Sequence, residues 1–96
     1  MKAQIQNLLV NISRLLAENH EKAWAEKFKQ FTLQLDVDYE VTLREIKRTF
    51  GGAGSFNDLV LQRNGHALTD ENILLNTLQE RLYDALQQEI TGCKNA

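Results

Sequence analysis

Proline is missing from this chain and cysteine occurs once, at Cys93. Without proline there is no proline-rich ligand segment, and chain breaks fall to glycine and asparagine. A lone cysteine forms no internal disulfide and, beside only two histidines, makes no zinc pattern, so no metal and no cofactor is expected. No apolar run approaches the roughly 18 residues of a membrane span. The opening "MKAQIQNLLVNISRLL" is interrupted by Gln4, Gln6, Asn7 and Asn11, which breaks any signal-peptide core and leads us to expect a cytoplasmic protein. Excess positive charge is missing too. Residues 1–50 carry eight basic and seven acidic side chains and residues 51–96 three and six, for a net charge of −2. The acidic second half is the reverse of a nucleic-acid footprint. "LREIKR" holds the basic cluster Arg44, Lys47 and Arg48, but Glu45 sits among them and no aromatic alternates for base stacking.

What is present is ordinary globular material, 43% apolar and 25% charged over 96 residues, enough for one domain with one modest core. Ile5, Leu8, Leu9, Ile12, Leu15 and Leu16 recur at three- and four-residue spacing and predict an amphipathic helix over 2–17. "ENHEK" breaks it, with Asn19 expected to cap a second helix. That helix carries Trp24, Phe28, Phe31 and Leu35 on one side, a spacing that favours core over an aromatic binding surface. Asp36 or Asp38 caps a third helix with the stripe Tyr39, Leu43, Ile46 and Phe50. Gly51 is expected to end it with positive φ, so that Gly51→Ala would cost about 1 kcal/mol or more.

"GGAGSFND" follows. Ser55 with Asp58 resembles a capping box and predicts a helical turn over 55–58. Asn64-Gly65 suits a tight hairpin in which Leu61 faces Leu68 and Arg63 faces His66. Thr69 or Asp70 then caps a long helix with the seam Leu75, Leu78, Leu82, Leu86 and Ile90, widened by Ile73, Leu74, Tyr83 and Ala85 and ended by Gly92. The fold class is mainly α: about four amphipathic helices in one small bundle, 1–96 a single domain, with a glycine-rich corner, a short β-hairpin or an irregular excursion near 59–69 and a disordered tail from about 92.

Successive backbone N–H groups in a glycine loop before a helical turn attract anions, but "GGAGS" lacks the lysine of a P-loop and the strand–GxGxxG–helix setting of a dinucleotide fold. A structural corner is the simpler reading. The candidate partner- or ligand-binding residues are Gly51, Gly52, Gly54, Ser55, Asn57, Asp58 and His66. His20 and His66 read as solvated, and no nucleophile stands at triad spacing; a catalyst would require His66 beside Asp58 in a closed pocket. Tyr83 reads as a rim residue at an interface.

Trp24 together with the string Gly51, Gly52, Gly54, Ser55, Asn57, Asp58 and Leu59 resembles a family of small uncharacterised bacterial proteins, over roughly residues 5–90, with Ala53 where the family pattern has methionine. The resemblance implies a bacterial source and makes the glycine string a family hallmark; it implies no reaction. The preferred reading is a non-enzymatic protein-binding module, such as an immunity or mobile-element accessory protein. Its partner would be basic to suit the acidic second half, or a second copy covering spare apolar surface as a homodimer. The alternative is a small-ligand or phosphate-binding protein using the 51–58 loop. Neither nucleic acid nor a membrane is an expected partner.

Overall fold

The structure is a computed structural model that describes residues 1–51 and 55–95, the side chains of 93–95 excepted. It is mainly α. Four helices are described: α1 (Lys2–Glu18), α2 (Lys22–Gln34), α3 (Tyr39–Arg48) and α4 (Thr69–Asn95). Between α3 and α4 lie a 3₁₀ turn (Phe56–Asp58) and a hairpin of β1 (Gln62–Arg63) and β2 (His66–Ala67). A 27-residue helix is about 40 Å long, so α4 sets the long axis of a molecule measuring 48 × 21 × 21 Å.

The seam of α1 is buried along its whole length, from Ile5 to Leu16. Asn19 does not open α2. Its Nδ2 donates to the Leu15 carbonyl oxygen at 2.8 Å, closing α1. His20 takes φ 66°, and the His20 and Glu21 amides donate back to Ala17 and Leu16, a helix stop that glycine usually provides. The side chain of Glu21, which precedes α2, makes no capping bond. The two helices pack antiparallel, and Ser13 Oγ donates to the Ala25 carbonyl oxygen across them at 3.0 Å.

Of the two aspartates in the next break, Asp38 is the cap: Val41 N–H donates to its Oδ1 at 3.3 Å. Asp36 instead turns back to α1, 2.9 Å from Lys2 Nζ. In α3, Leu43 and Ile46 are buried, and Phe50 follows them into the core. The helix stops without a left-handed residue. Thr49 keeps helical φ and ψ, its hydroxyl donates to the Ile46 carbonyl oxygen at 2.7 Å, and Gly51 has no positive φ. The expected glycine stop is thus replaced by a threonine one. A Cβ added at Gly51 would meet nothing within 4 Å.

The 3₁₀ turn forms where expected, but the Ser55 side chain makes no capping bond. The hairpin register is as the Asn64-Gly65 pair dictates. Arg63 pairs with His66 and Gln62 with Ala67, and the Leu68 amide donates to Leu61. Asn64 and Gly65 have φ of 53° and 80°, the mirror-image turn that matches strand twist. Two-residue strands do not hold themselves. Asn72 supplies the missing edge: its Oδ1 accepts the Leu61 N–H at 2.8 Å, while Nδ2 donates to the Leu61 and Leu68 carbonyl oxygens at 2.9 and 2.8 Å. This clamp fixes the hairpin on the first turn of α4.

Thr69 and Asp70 lie inside the first turn of α4 rather than ahead of it, and Gly92 does not end the helix, which continues to Asn95. Leu75, Leu78, Leu82, Ala85 and Leu86 are buried and Ile90 is packed at the core's edge. Ile73 and Leu74 do not widen the seam; they are 60% and 48% exposed.

Candidate functional site

The glycine corner delivers one side chain to the centre of the molecule. Phe56 is 0% exposed, with ring centroids 4.5 Å from Phe28, 5.4 Å from Trp24 and 5.6 Å from Phe50. Phe50 in turn stands 5.4 Å from Tyr83, edge to face at 61°. The aromatic core thus runs from α2 through the corner and surfaces at Tyr83, 39% exposed on α4.

Burying Phe56 also buries its carbonyl, which would cost heavily without a donor. Gln79 provides one: its Nε2 donates to the Phe56 carbonyl oxygen at 2.8 Å, and the residue is only 6% exposed. One residue along the corner, Asn57 Nδ2 donates to the Phe50 carbonyl oxygen at 2.8 Å. The Gln79 carboxamide ties Phe56 to α4, and the Asn57 carboxamide ties the two ends of the corner to each other.

Between them opens a groove of about 580 Å³, lined among the described residues by Phe50 and Asn57 from the corner and by Asn76, Gln79, Glu80, Tyr83 and Asp84 from α4. Its charged members are both carboxylates. The α4 members recur at three- and four-residue spacing, which puts them on one face of the helix. That stripe is visible in the sequence, but every amphipathic helix has a polar face, so spacing alone does not single it out. Only the corner, folded back onto the stripe, makes it a wall.

Of the residues singled out in advance, Asn57 reaches this groove. Gly51 and Asp58 are exposed, Ser55 is half-buried and His66 sits exposed on β2. None of these four lines the groove. Gly52 and Gly54 lie outside the described residues, as does Ala53. The amides that a phosphate cradle would use are partly spent: Phe56 N–H donates to Thr49 at 2.7 Å, Asp58 N–H to Ser55 at 3.0 Å and Leu59 N–H to Phe56 at 3.2 Å. Trp24, Phe28 and Phe31 belong to or pack on the core. Among the described residues no three His, Cys, Asp or Glu side chains are grouped to hold a metal ion, and no helix is long and apolar enough to cross a membrane.

No curated protein and no solved structure matches the chain. A family model described as a domain of unknown function, DUF6966, matches residues 17–69. The match runs from the end of α1 to the start of α4, more than half of the chain, and takes in Trp24, the glycine corner and the hairpin. On that match the chain belongs to the DUF6966 family, a domain of unknown function.

Proposed function

We propose that this protein is a protein-binding module and that its contact surface is the groove between the Phe50–Asn57 corner and α4. The observation that carries the reading is the composition of the groove: an aromatic surface at Phe50 and Tyr83, carboxamides already anchored to backbone, and two carboxylates as its charged side chains. Aromatic groups beside fixed polar groups are what partner hot spots seat against. The negative sign of the groove favours a basic partner, as the acidic second half of the chain does. Covering a basic surface on another protein suits an immunity or mobile-element accessory role, an analogy of size and charge.

The alternative, a phosphate or small-ligand site in the 51–58 loop, has less support. Two of its backbone amides, those of Phe56 and Asp58, are already donated, and carboxylates line the neighbouring groove.

Affinity capture from the source cells tests the reading, comparing the native chain with Asn76→Arg, which puts a cation and extra bulk into the groove, and with Gln30→Arg on the exposed side of α2 as the charge control. A partner held by the native chain and the control but lost from Asn76→Arg supports the groove. A partner kept by all three moves the interface to another face. If the captured protein is a second copy of this chain, the homodimer expectation takes over, with exposed Ile73 and Leu74 as the surface to test next. Thermal stability raised by inorganic phosphate, with no partner captured, would favour the ligand reading.

A further inference from the structure

We infer that the groove is shaped for an arginine side chain of the partner; this rests on reading the groove as a contact surface. The inference comes from the direction of its hydrogen-bonding groups. The Gln79 carboxamide is fixed by donation from Nε2 to the Phe56 carbonyl oxygen, which orients its oxygen end the other way. That oxygen accepts no hydrogen bond from any described residue, and it is not among the side-chain atoms sealed from solvent. On a residue more than nine-tenths buried that lines the groove, the groove is the way out. Asn57 repeats the arrangement, with its nitrogen on the Phe50 carbonyl oxygen and its own oxygen accepting nothing from the described residues.

Glu80 and Asp84 add two carboxylates one helical turn apart on the same wall. Neither forms an ion pair among the described residues. Like charges at this spacing repel, so a cation seated between them removes an unfavourable interaction as well as adding a favourable one. The groove therefore offers acceptors from two sides, and the aromatic pair Phe50 and Tyr83 lies along it.

A guanidinium matches this set on three counts. It carries five N–H donors and no acceptor, so it wastes nothing against an acceptor-rich wall. Its planar fork suits carboxylate and carboxamide oxygens held at fixed angles. It also stacks on aromatic faces while giving up less hydration than an ammonium. Lysine meets the charge requirement alone.

The test is a titration of ¹⁵N-labelled protein with an acetylated, amidated serine–alanine hexapeptide carrying one central arginine, and with versions carrying lysine or the neutral isostere citrulline. The arginine peptide should give saturable shifts at the side-chain amides of Asn57 and Gln79 and at the Tyr83 ring. The lysine version should bind about tenfold more weakly and the citrulline version weaker still, as expected for losing a charge-assisted, oriented contact. Glu80→Gln with Asp84→Asn should weaken the arginine peptide by about tenfold or more while leaving the rest of the spectrum in place, since both carboxylates are exposed. Equal binding of arginine and lysine, binding unchanged in the double variant, shifts confined to another face, or no shifts at all would each overturn the inference. If the arginine peptide fails while Asn76→Arg still abolishes partner capture, arginine recognition falls and the groove reading stands.

Discussion

Gln79 Nε2 donates to the carbonyl oxygen of Phe56 at 2.8 Å, across 23 residues of chain, and both residues are buried. The bond ties the corner to α4 and gives the buried Phe56 carbonyl a second donor beside the Leu59 N–H. Gln79→Leu keeps the bulk and removes that donor, so the buried Phe56 carbonyl is left with the Leu59 N–H alone, at a cost of about 0.5–1.5 kcal/mol. Denaturant unfolding followed at Trp24, which packs on Phe56, should show a lower midpoint with an unchanged slope.

Asn72 holds the hairpin as a strand neighbour would, with one acceptor and two donor contacts to Leu61 and Leu68. Asn72→Ala is expected to cost about 1–3 kcal/mol, with the loss concentrated in the hairpin. Amide hydrogen exchange should report it first at Leu61, whose N–H loses its acceptor, while the α1–α2 amides keep their protection. Uniform loss across the chain would contradict a local clamp.

The two described glycines at turns respond oppositely to alanine. Gly65 has φ of 80°, so Gly65→Ala should destabilise by about 1 kcal/mol. Gly51 has neither a positive φ nor any atom within 4 Å of an added Cβ, so Gly51→Ala should be neutral or stabilise by about 0.4–1 kcal/mol through the unfolded chain. Paired thermal melts decide it.

Asp36 is held below its ordinary carboxyl value by the Lys2 ammonium, through a hydrogen bond and then through charge attraction, with a smaller contribution from Gln6. A carboxyl depressed in the folded state stabilises above its unfolded value and loses that contribution as pH falls through the folded one. Lys2→Met should therefore return the Asp36 titration, read by carboxyl NMR, towards the ordinary value of 3.8 and reduce the loss of stability at acid pH. The pair is exposed, so added salt should shrink the difference between the two proteins.

The helices were legible because each has its own period. The Ile5–Leu16 seam, the Phe28–Phe31 face, the Leu43–Ile46 stripe and the Leu75–Leu86 row are local patterns that any burial partner would satisfy. Asn64-Gly65 set the hairpin register for the same reason, since its φ values are a property of two adjacent residues. Helix ends were less legible. Asn19 can cap forwards or close backwards, and the choice went to the Leu15 carbonyl once His20 turned left-handed. Thr49 took over the stop expected of Gly51 because its hydroxyl reached Ile46.

The candidate site belongs to the other category. Asn57 stood out in the sequence because it lies in a glycine-rich string. Gln79, Glu80 and Asp84 did not, because a polar stripe beside a leucine seam reads as a solvated face. By itself the sequence determined which surfaces are apolar, where the chain turns, and that the second half is acidic. Tertiary structure decided that the corner folds back on α4, that Phe56 fills the centre, and that Gln79 is buried with one end bonded and the other open to a groove. The physical reason is range: periodicity and turn chemistry act over a few residues, whereas a hydrogen bond spanning 23 residues exists only after the core has brought its ends together.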